Sequence, residues 1–202
     1  MPQSPSEHAP SRAHTMSLND YLSHKRNAVL ARDERIAAGK AEAHTLQAHV
    51  TAEGRSGVRR LRIREHQIIS DSPYDFAGFN LGPSSPELQL GVLGTCVTHI
   101  FEIQAAKLQV PLDRLEVKVQ GRIDPRAGHP GHEDTPIWPH AIHYDVEVQT
   151  SASDEQLSAL FEAVERHCPI LNLLRNPQHI EGRVVRVDSR APAQAKQEAV
   201  AA

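Results

Sequence analysis

Residues 82–108 read GPSSPELQLGVLGTCVTHIFEIQAAKL, and this stretch is the most informative part of the sequence. Ser85, Pro86 and Glu87 supply an N-cap, a first-turn proline and a first-turn carboxylate, in the order in which a helix begins. The apolar residues that follow occupy most of the helix circumference rather than one stripe: they are Leu88, Leu90, Val92, Leu93, Cys96, Val97, Ile100, Phe101, Ile103 and Leu108. The stretch therefore predicts a long helix that is buried nearly all round.

Upstream of this helix, apolar and polar residues alternate as they do in strands with one buried face. Residues 44–53 and 58–65 alternate across the turn EGRSG, and they predict a hairpin with one face in water. Residues 68–69 predict a third strand. Residues 17–38 combine helix formers with spaced apolar residues, and they predict an amphipathic N-terminal helix that ends near Gly39.

Downstream of the long helix, the sequence predicts further strands and one more long helix. Residues 114–123 and 141–149 alternate as strands, residues 153–167 form a helix, and residues 184–187 form a short last strand. Strands before, between and after two helices, without strict alternation of strand and helix, predict an α+β fold with helices on a largely antiparallel sheet.

Composition limits the classes of function. Hydrophobic residues make up 39% of the 202-residue chain and charged residues 23%, which is typical of one globular domain. A net charge of -3 predicts no nucleic-acid partner and no binding to anionic membranes. Only two cysteines and no signal-peptide-like start predict a reducing, cytoplasmic location.

The distribution of apolar residues predicts the domain boundaries. Residues 1–15 and 189–202 are poor in apolar side chains, so we expect both to be mobile tails. Between them we expect the N-terminal helix, within residues 16–39, and one domain, residues 43–188.

The two cysteines occupy different predicted surroundings. Cys96 lies in the middle of the buried helix, where burial raises a thiol pKa, so taken alone it is a core cysteine. Cys168 precedes Pro169, so we expect it to end one helix and to lie at the N-terminus of a short segment, residues 169–174. Free amides there would favour a Cys168 thiolate. The sequence leaves open whether the two thiols meet.

Two stretches resemble a known family. Gly82–Cys96, GPSSPELQLGVLGTC, resembles the GPSPxELLLAALGAC motif of the OsmC/Ohr superfamily, and Val164–Pro177, VERHCPILNLLRNP, resembles its second-cysteine segment. The resemblance covers roughly Ala43–Val187 and extends to the order of strands and helices. It implies an OsmC-like fold, with largely antiparallel sheets packed on two central helices in an intertwined homodimer.

The resemblance also implies a function. Family members are thiol-dependent peroxidases that reduce organic hydroperoxides in the antioxidant response to oxidative stress. By position, Cys96 matches the peroxidatic cysteine and Cys168 the resolving cysteine. The implied cycle runs through a Cys96 sulfenic acid and a disulfide, and an external dithiol restores the thiols without a cofactor or metal.

Two charged residues complete the implied site. Glu87 approximates the helix-start glutamate of the family, although in the best-characterised peroxidase branches that carboxylate falls one residue earlier, at Pro86 here. Arg55 resembles the glycine-flanked arginine of the Ohr branch, and Arg59 and Arg60 are near enough to compete for that role.

Helical geometry separates Glu87 from Cys96. Nine residues of helix place the two side chains on opposite faces and about 13 Å apart along the axis. If both serve one site, two subunits must contribute to it.

Three other patterns have simpler interpretations. His99 could pair with the Cys96 thiolate, but we favour a satisfied buried or interface histidine. The histidine-rich loop could offer metal ligands, but it is rich in Gly and Pro, so nothing fixes their geometry; these residues are His129, His132, His140 and His143 around Glu133. The alternating arginines of residues 60–64 could bind RNA, but a solvated sheet face fits better because no aromatic residues are interleaved with them.

A second class of function remains open. The shifted position of Glu87 and the choice among three arginines also fit a non-enzymatic OsmC-fold protein, which would bind an apolar ligand or sense redox state.

Overall fold

The computed structural model describes residues 16–54 and 56–187. Four helices and five strands follow one another within these residues: α1 (Leu18–Ala37), β1 (His49–Ala52), β2 (Arg59–Ile63), β3 (His66–Ser70), α2 (Ser85–Leu108), β4 (Arg114–Arg122), β5 (His140–Gln149), α3 (Asp154–His167) and α4 (Pro169–Arg175). All strand pairs are antiparallel, so the α+β prediction is confirmed. Arg55 and both predicted tails lie outside the described residues.

Helix α2 begins with a capping box. The Ser84 hydroxyl accepts a hydrogen bond from the backbone N–H of Glu87, and a carboxylate oxygen of Glu87 accepts one from the Ser84 N–H at 2.7 Å. The cap is thus Ser84, one residue before the serine that the sequence indicated, and Pro86 lies in the first turn. The helix ends at Gln109, whose φ of 57° turns the chain out of the helix.

One face of α2 forms the centre of the core. Leu93 and Val97 are fully buried against Leu160 and Val164 of α3. The prediction that α2 is buried nearly all round is wrong for the chain by itself, because its opposite face, which carries Gly91, Thr95 and His99, is exposed. Helices α3 and α4 and the β4–β5 sheet cover only one side of the helix.

Strands β4 and β5 form a two-stranded sheet under α2. Their inward side chains are Val117, Val119, Tyr144 and Val146, which pack against the core. The helix comes close to this sheet at Gly94, where an added Cβ would lie 3.2 Å from a methyl carbon of Val119. The outward face of the sheet carries charged residues and lies in water.

Strands β1, β2 and β3 form a separate sheet that contributes no described residue to the hydrophobic core. Apolar side chains on it remain exposed, including Val50 at 56% and Ile68 at 41%. The sequence predicted that one face of this hairpin is exposed to water and the other is buried. This prediction is wrong for the chain by itself, since no described helix packs extensively on either face.

Helix α1 packs across the C-terminal half of α2. Leu22 joins the core, and the guanidinium of Arg26 donates hydrogen bonds to the carbonyls of Ala106 and Lys107, at 3.1 and 2.8 Å. These bonds satisfy carbonyls that the end of α2 leaves without helical partners. Helix α1 is therefore fixed to the central helix.

The predicted last strand is absent. Residues 184–187 have no regular structure and pair with no described strand, and Val184 is 100% exposed. A short run rich in valine is insufficient for a strand where no neighbouring edge supplies hydrogen bonds.

None of the helices within residues 16–54 and 56–187 combines the length and apolar character needed to cross a bilayer.

Candidate functional site

The two thiols lie in direct contact. The Sγ atoms of Cys96 and Cys168 are 3.4 Å apart, although 72 residues separate them in the sequence. Both cysteines are free thiols. The fold therefore answers the question that the sequence left open.

Local backbone conformation places Cys168 at a corner. The residue has φ -74° and ψ 110°, an extended conformation, and it is both the C-cap of α3 and the N-cap of α4. Pro169 disfavours a helical conformation in the residue before it and starts α4 in its first turn. The predicted end of one helix and start of a short segment at Cys168 are confirmed.

The two thiols differ in exposure. Cys168 is 0% exposed, whereas Cys96 is only partly buried. A small molecule from solvent can therefore reach the sulfur of Cys96 more easily than that of Cys168.

Three influences set the pKa of Cys96. Burial raises it most, as the sequence indicated, the backbone N–H of Ile170 lowers it by hydrogen bonding to the sulfur, and the neighbouring Cys168 raises it. The net pKa lies above the ordinary value of a thiol. The backbone N–H of Ile170, at the start of α4, thus donates its hydrogen bond to Cys96, while the Cys168 side chain makes no capping hydrogen bond there.

Glu87 is committed to the start of its own helix. Its carboxylate accepts hydrogen bonds from the Ser84 hydroxyl and backbone N–H, and these two bonds lower its pKa, in that order of size. The structure does not bring Glu87 to Cys96 within one chain, because both residues belong to the same continuous helix.

Of the three candidate arginines, two are engaged elsewhere and Arg55 lies outside the described residues. Arg59 donates hydrogen bonds to the Gly57 carbonyl and to two serine hydroxyls, and Arg60 forms an ion pair with Glu53 at 2.9 Å. Neither is among the groups that shift the Cys96 pKa.

His99 pairs with α1 rather than with Cys96. Its Nδ1 lies 3.4 Å from the ammonium of Lys25, which is 8% exposed and bound to Glu102. Burial first, and then the Lys25 charge, lower the His99 pKa against an opposing effect of Glu102. The imidazolium–thiolate hypothesis for His99 is therefore not supported, because its ring contacts Lys25 and Glu102 and its lowered pKa disfavours the imidazolium.

The histidine-rich loop does not gather metal ligands. No group of three or more His, Cys, Asp or Glu side chains suited to a metal ion occurs in the part of the chain that the structure describes.

A groove of about 640 Å³ runs along the exposed face of α2, beside β4. Its walls are formed by Leu90, Gly91, Gly94, Thr95 and Val119, among others. Sequence reasoning missed it, although small residues at three- and four-residue spacing within an apolar helix were an available signal.

Comparison with known proteins assigns the fold to a family. A sequence model described as OsmC-like protein matches residues 78–182, which is more than half of the chain. The chain belongs to the OsmC-like protein family. The matched residues include both cysteines. Helix α1 and the β1–β3 sheet lie outside the matched residues.

Solved structures agree with this assignment. An OsmC-like protein from Mycoplasma pneumoniae matches with a TM-score of 0.57 at 16% identity, covering 66% of this chain and 89% of that chain. A hypothetical protein from Aquifex aeolicus VF5 matches with a TM-score of 0.50 at 12% identity, with the same two coverages. No match was found among curated proteins. At these identities the likeness shows the fold alone.

Removing the second thiol should make Cys96 more acidic. In Cys168→Ala we expect a lower Cys96 pKa than in the wild type. Burial and Cys168 both raise this pKa, and the substitution removes Cys168 while the Ile170 N–H remains. The pH dependence of Cys96 alkylation by iodoacetamide, with the site of alkylation identified by mass spectrometry, measures this shift. An unchanged or higher pKa would contradict the assignment of causes.

Proposed function

We propose that the protein is a thiol-dependent peroxidase that reduces organic hydroperoxides in the cytoplasm, as part of an antioxidant response. The contact between the Cys96 and Cys168 sulfurs, 3.4 Å apart, is the observation that carries this proposal. Membership of the OsmC-like family supports it, because Cys96 and Cys168 match by position the two cysteines of the family's peroxidases, although the surrounding sequence resembles a divergent branch of the superfamily.

The proposed reaction has three balanced steps. The Cys96 thiolate attacks the terminal oxygen of the hydroperoxide, and the O–O bond breaks. The hydroxyl group stays on the sulfur, so Cys96 becomes a sulfenic acid, and the alkoxide takes up a proton and leaves as an alcohol. The Cys168 thiol then attacks the Cys96 sulfur, so a disulfide forms and water leaves. An external dithiol reduces the disulfide and is itself oxidised.

Exposure favours Cys96 as the attacking thiol. A peroxide must reach the attacking sulfur, and Cys168 is fully buried, whereas Cys96 is partly accessible. The Ile170 N–H supports the same assignment, because it would stabilise a negative charge on Cys96. The choice of an organic hydroperoxide rests on the resemblance to the family, because Leu93, Val97 and Ile100 near Cys96 are buried in the core.

The site needs a cation that the described part of one chain does not supply. The net pKa of Cys96 is raised, so few thiolates would exist at neutral pH without a further positive charge. We assign this role to Arg55 on its resemblance to the glycine-flanked arginine of the family, since neither Arg59 nor Arg60 is among the groups that shift the Cys96 pKa. Glu87 would act together with that arginine from across a subunit interface.

We also propose that the protein is an intertwined homodimer. The β1–β3 sheet keeps apolar side chains exposed, and the groove along α2 offers an apolar surface lined by glycines and threonines. Burying both against a second copy would remove apolar surface from water and would place residues of two chains near each thiol pair.

One observation favours a second candidate function. The raised Cys96 pKa, with no arginine among its causes, is typical of a thiol that reacts slowly. The alternative is a non-enzymatic protein that binds an apolar ligand in the groove or senses redox state through the thiol pair. Catalytic turnover of cumene hydroperoxide with an external dithiol would exclude this alternative.

The two cysteines should fail in different ways when replaced. Cys168→Ser should still reduce one equivalent of cumene hydroperoxide and form a sulfenic acid that dimedone traps, because only the resolving thiol is missing. Cys96→Ser should be inert toward the peroxide. A dimedone adduct on Cys168 in the Cys96→Ser protein would show that the roles are reversed.

Arg55 should control the reactivity of Cys96. Arg55→Ala should raise the Cys96 pKa by about one unit or more, since an opposite charge within a few ångströms shifts a pKa by that amount. The rate constant for cumene hydroperoxide should fall accordingly. Arg60→Ala is the matched control, because Arg60 is paired with Glu53 and should leave both quantities unchanged. The opposite pattern would assign the role to Arg60.

The oligomeric state can be measured directly. Sedimentation equilibrium of the full chain at micromolar concentration should give the mass of a dimer, because the exposed apolar sheet and groove would otherwise face water. A monomer under these conditions would refute the dimer and the shared site with it.

A further inference from the structure

The position of Cys168 depends on a helix that is too short to be stable alone. Helix α4 has seven residues and only one buried side chain, Leu171. Isolated helices shorter than about 12 residues are marginal in water. Since α4 begins directly after Cys168 and also supplies the Ile170 N–H to Cys96, contacts with other elements must hold it in place.

The first of these contacts comes from Asn172. Its side-chain amide donates hydrogen bonds to the backbone carbonyls of Glu165 and Cys168, at 3.1 and 2.8 Å, and a longer one to Arg166 at 3.4 Å. One side chain of α4 thereby satisfies the Glu165 and Arg166 carbonyls, which the end of α3 leaves open. The angle between the two helices at Cys168 is fixed by these bonds.

The second contact passes through the Glu165 side chain. One carboxylate oxygen accepts hydrogen bonds from the Tyr144 hydroxyl at 2.9 Å and from the Arg175 guanidinium at 2.8 Å. The last turn of α4 is thus joined to α3, and α3 is joined to strand β5. The Arg175 and Tyr144 bonds hold the pKa of Glu165 below its ordinary range, so the carboxylate stays ionised and able to accept both bonds.

Tyr144 remains a hydrogen-bond donor in this arrangement. Burial, and then its bond to Glu165, raise the pKa of its hydroxyl well above the ordinary value. The ring packs between the core and Phe161, with ring centroids 6.3 Å apart, and it lies near enough to Cys168 for a charge on that sulfur to affect it. Tyr144 therefore connects the rigid sheet to the resolving thiol.

We propose that Asn172, Tyr144, Glu165 and Arg175 form a set of positioning residues, the α4 clamp, that holds the Cys168 sulfur against the Cys96 sulfur. The clamp touches neither the peroxide nor the reacting atoms. The clamp restricts the conformations of α4 before the disulfide forms, and this restriction raises the effective concentration of Cys168 at Cys96.

The inference rests on the proposed function for its peroxide step, but the thiol pair can be tested without a peroxide. With glutathione disulfide as oxidant, the two thiols become a disulfide and two glutathione molecules are released. The equilibrium constant of this exchange gives the effective concentration of the pair. It does not depend on whether Cys96 reduces hydroperoxides.

The experiment compares three variants of the full chain in glutathione redox buffers, together with their thermal unfolding. Asn172→Ala removes the contacts at the corner, and Tyr144→Phe removes a single hydroxyl. Asn176→Ala is the matched control, because Asn176 is the same residue type at the end of the same helix and its side chain bonds only to the Asn172 carbonyl within α4.

We expect the effective concentration to fall about tenfold or more in Asn172→Ala and about threefold in Tyr144→Phe, while Asn176→Ala matches the wild type. If Asn172→Ala does not fold, the Tyr144→Phe result decides. Wild-type values in Tyr144→Phe and Asn172→Ala, or an equal fall in Asn176→Ala, would overturn the clamp. A high effective concentration in a protein that does not reduce hydroperoxides would refute the proposed function and leave the clamp standing.

Discussion

The packing of α2 against α3 and α4 is the interaction on which the rest of the structure depends. Leu93 and Val97 of α2 and Leu160 and Val164 of α3 are almost completely buried in this contact. Burying a side chain of this size contributes about 1.5–3 kcal/mol, so the contact is a large part of the stability of a chain this small. The same packing brings Cys96 to the corner between α3 and α4, where Cys168 lies.

Chemistry at the site follows from a division of roles between these elements. The long helix supplies a partly exposed thiol whose pKa is raised by burial, and the short helix supplies both the buried second thiol and an amide that opposes the rise. Within the described residues of one chain these groups suffice for a disulfide but leave Cys96 without a cation. Glu87 caps the same helix that carries Cys96, so it could serve the thiols only from a second copy, and Arg55 lies outside the described residues.

Local signals in the sequence predicted the elements well where they depend on a few neighbouring residues. Ser85 to Glu87 indicated the start of α2 to within one residue, and the proline after Cys168 indicated the corner, because both features follow from backbone sterics and capping. The alternating strands were equally readable. By contrast, residues 184–187 are rich in valine and form no strand, since a strand needs a partner edge that a local pattern does not reveal.

Features that depend on long-range packing were not predictable. The contact between two thiols that are 72 residues apart, the Ile170 amide at Cys96 and the bond from Tyr144 to Glu165 all require the tertiary fold. The apolar residues around the circumference of α2 predicted burial on all sides, but the other elements of one chain cover only one face of this helix. This difference is one of the observations from which we propose the homodimer.

The central claim is that Cys96 and Cys168 act together on a hydroperoxide, and thiol counting tests it most directly. The reduced protein is mixed with one equivalent of cumene hydroperoxide, and free thiols and cumyl alcohol are measured over time. The expected result is the rapid loss of both thiols for each alcohol formed, with an intramolecular disulfide in the product. Retention of both thiols while the peroxide persists would contradict the claim and favour a binding protein.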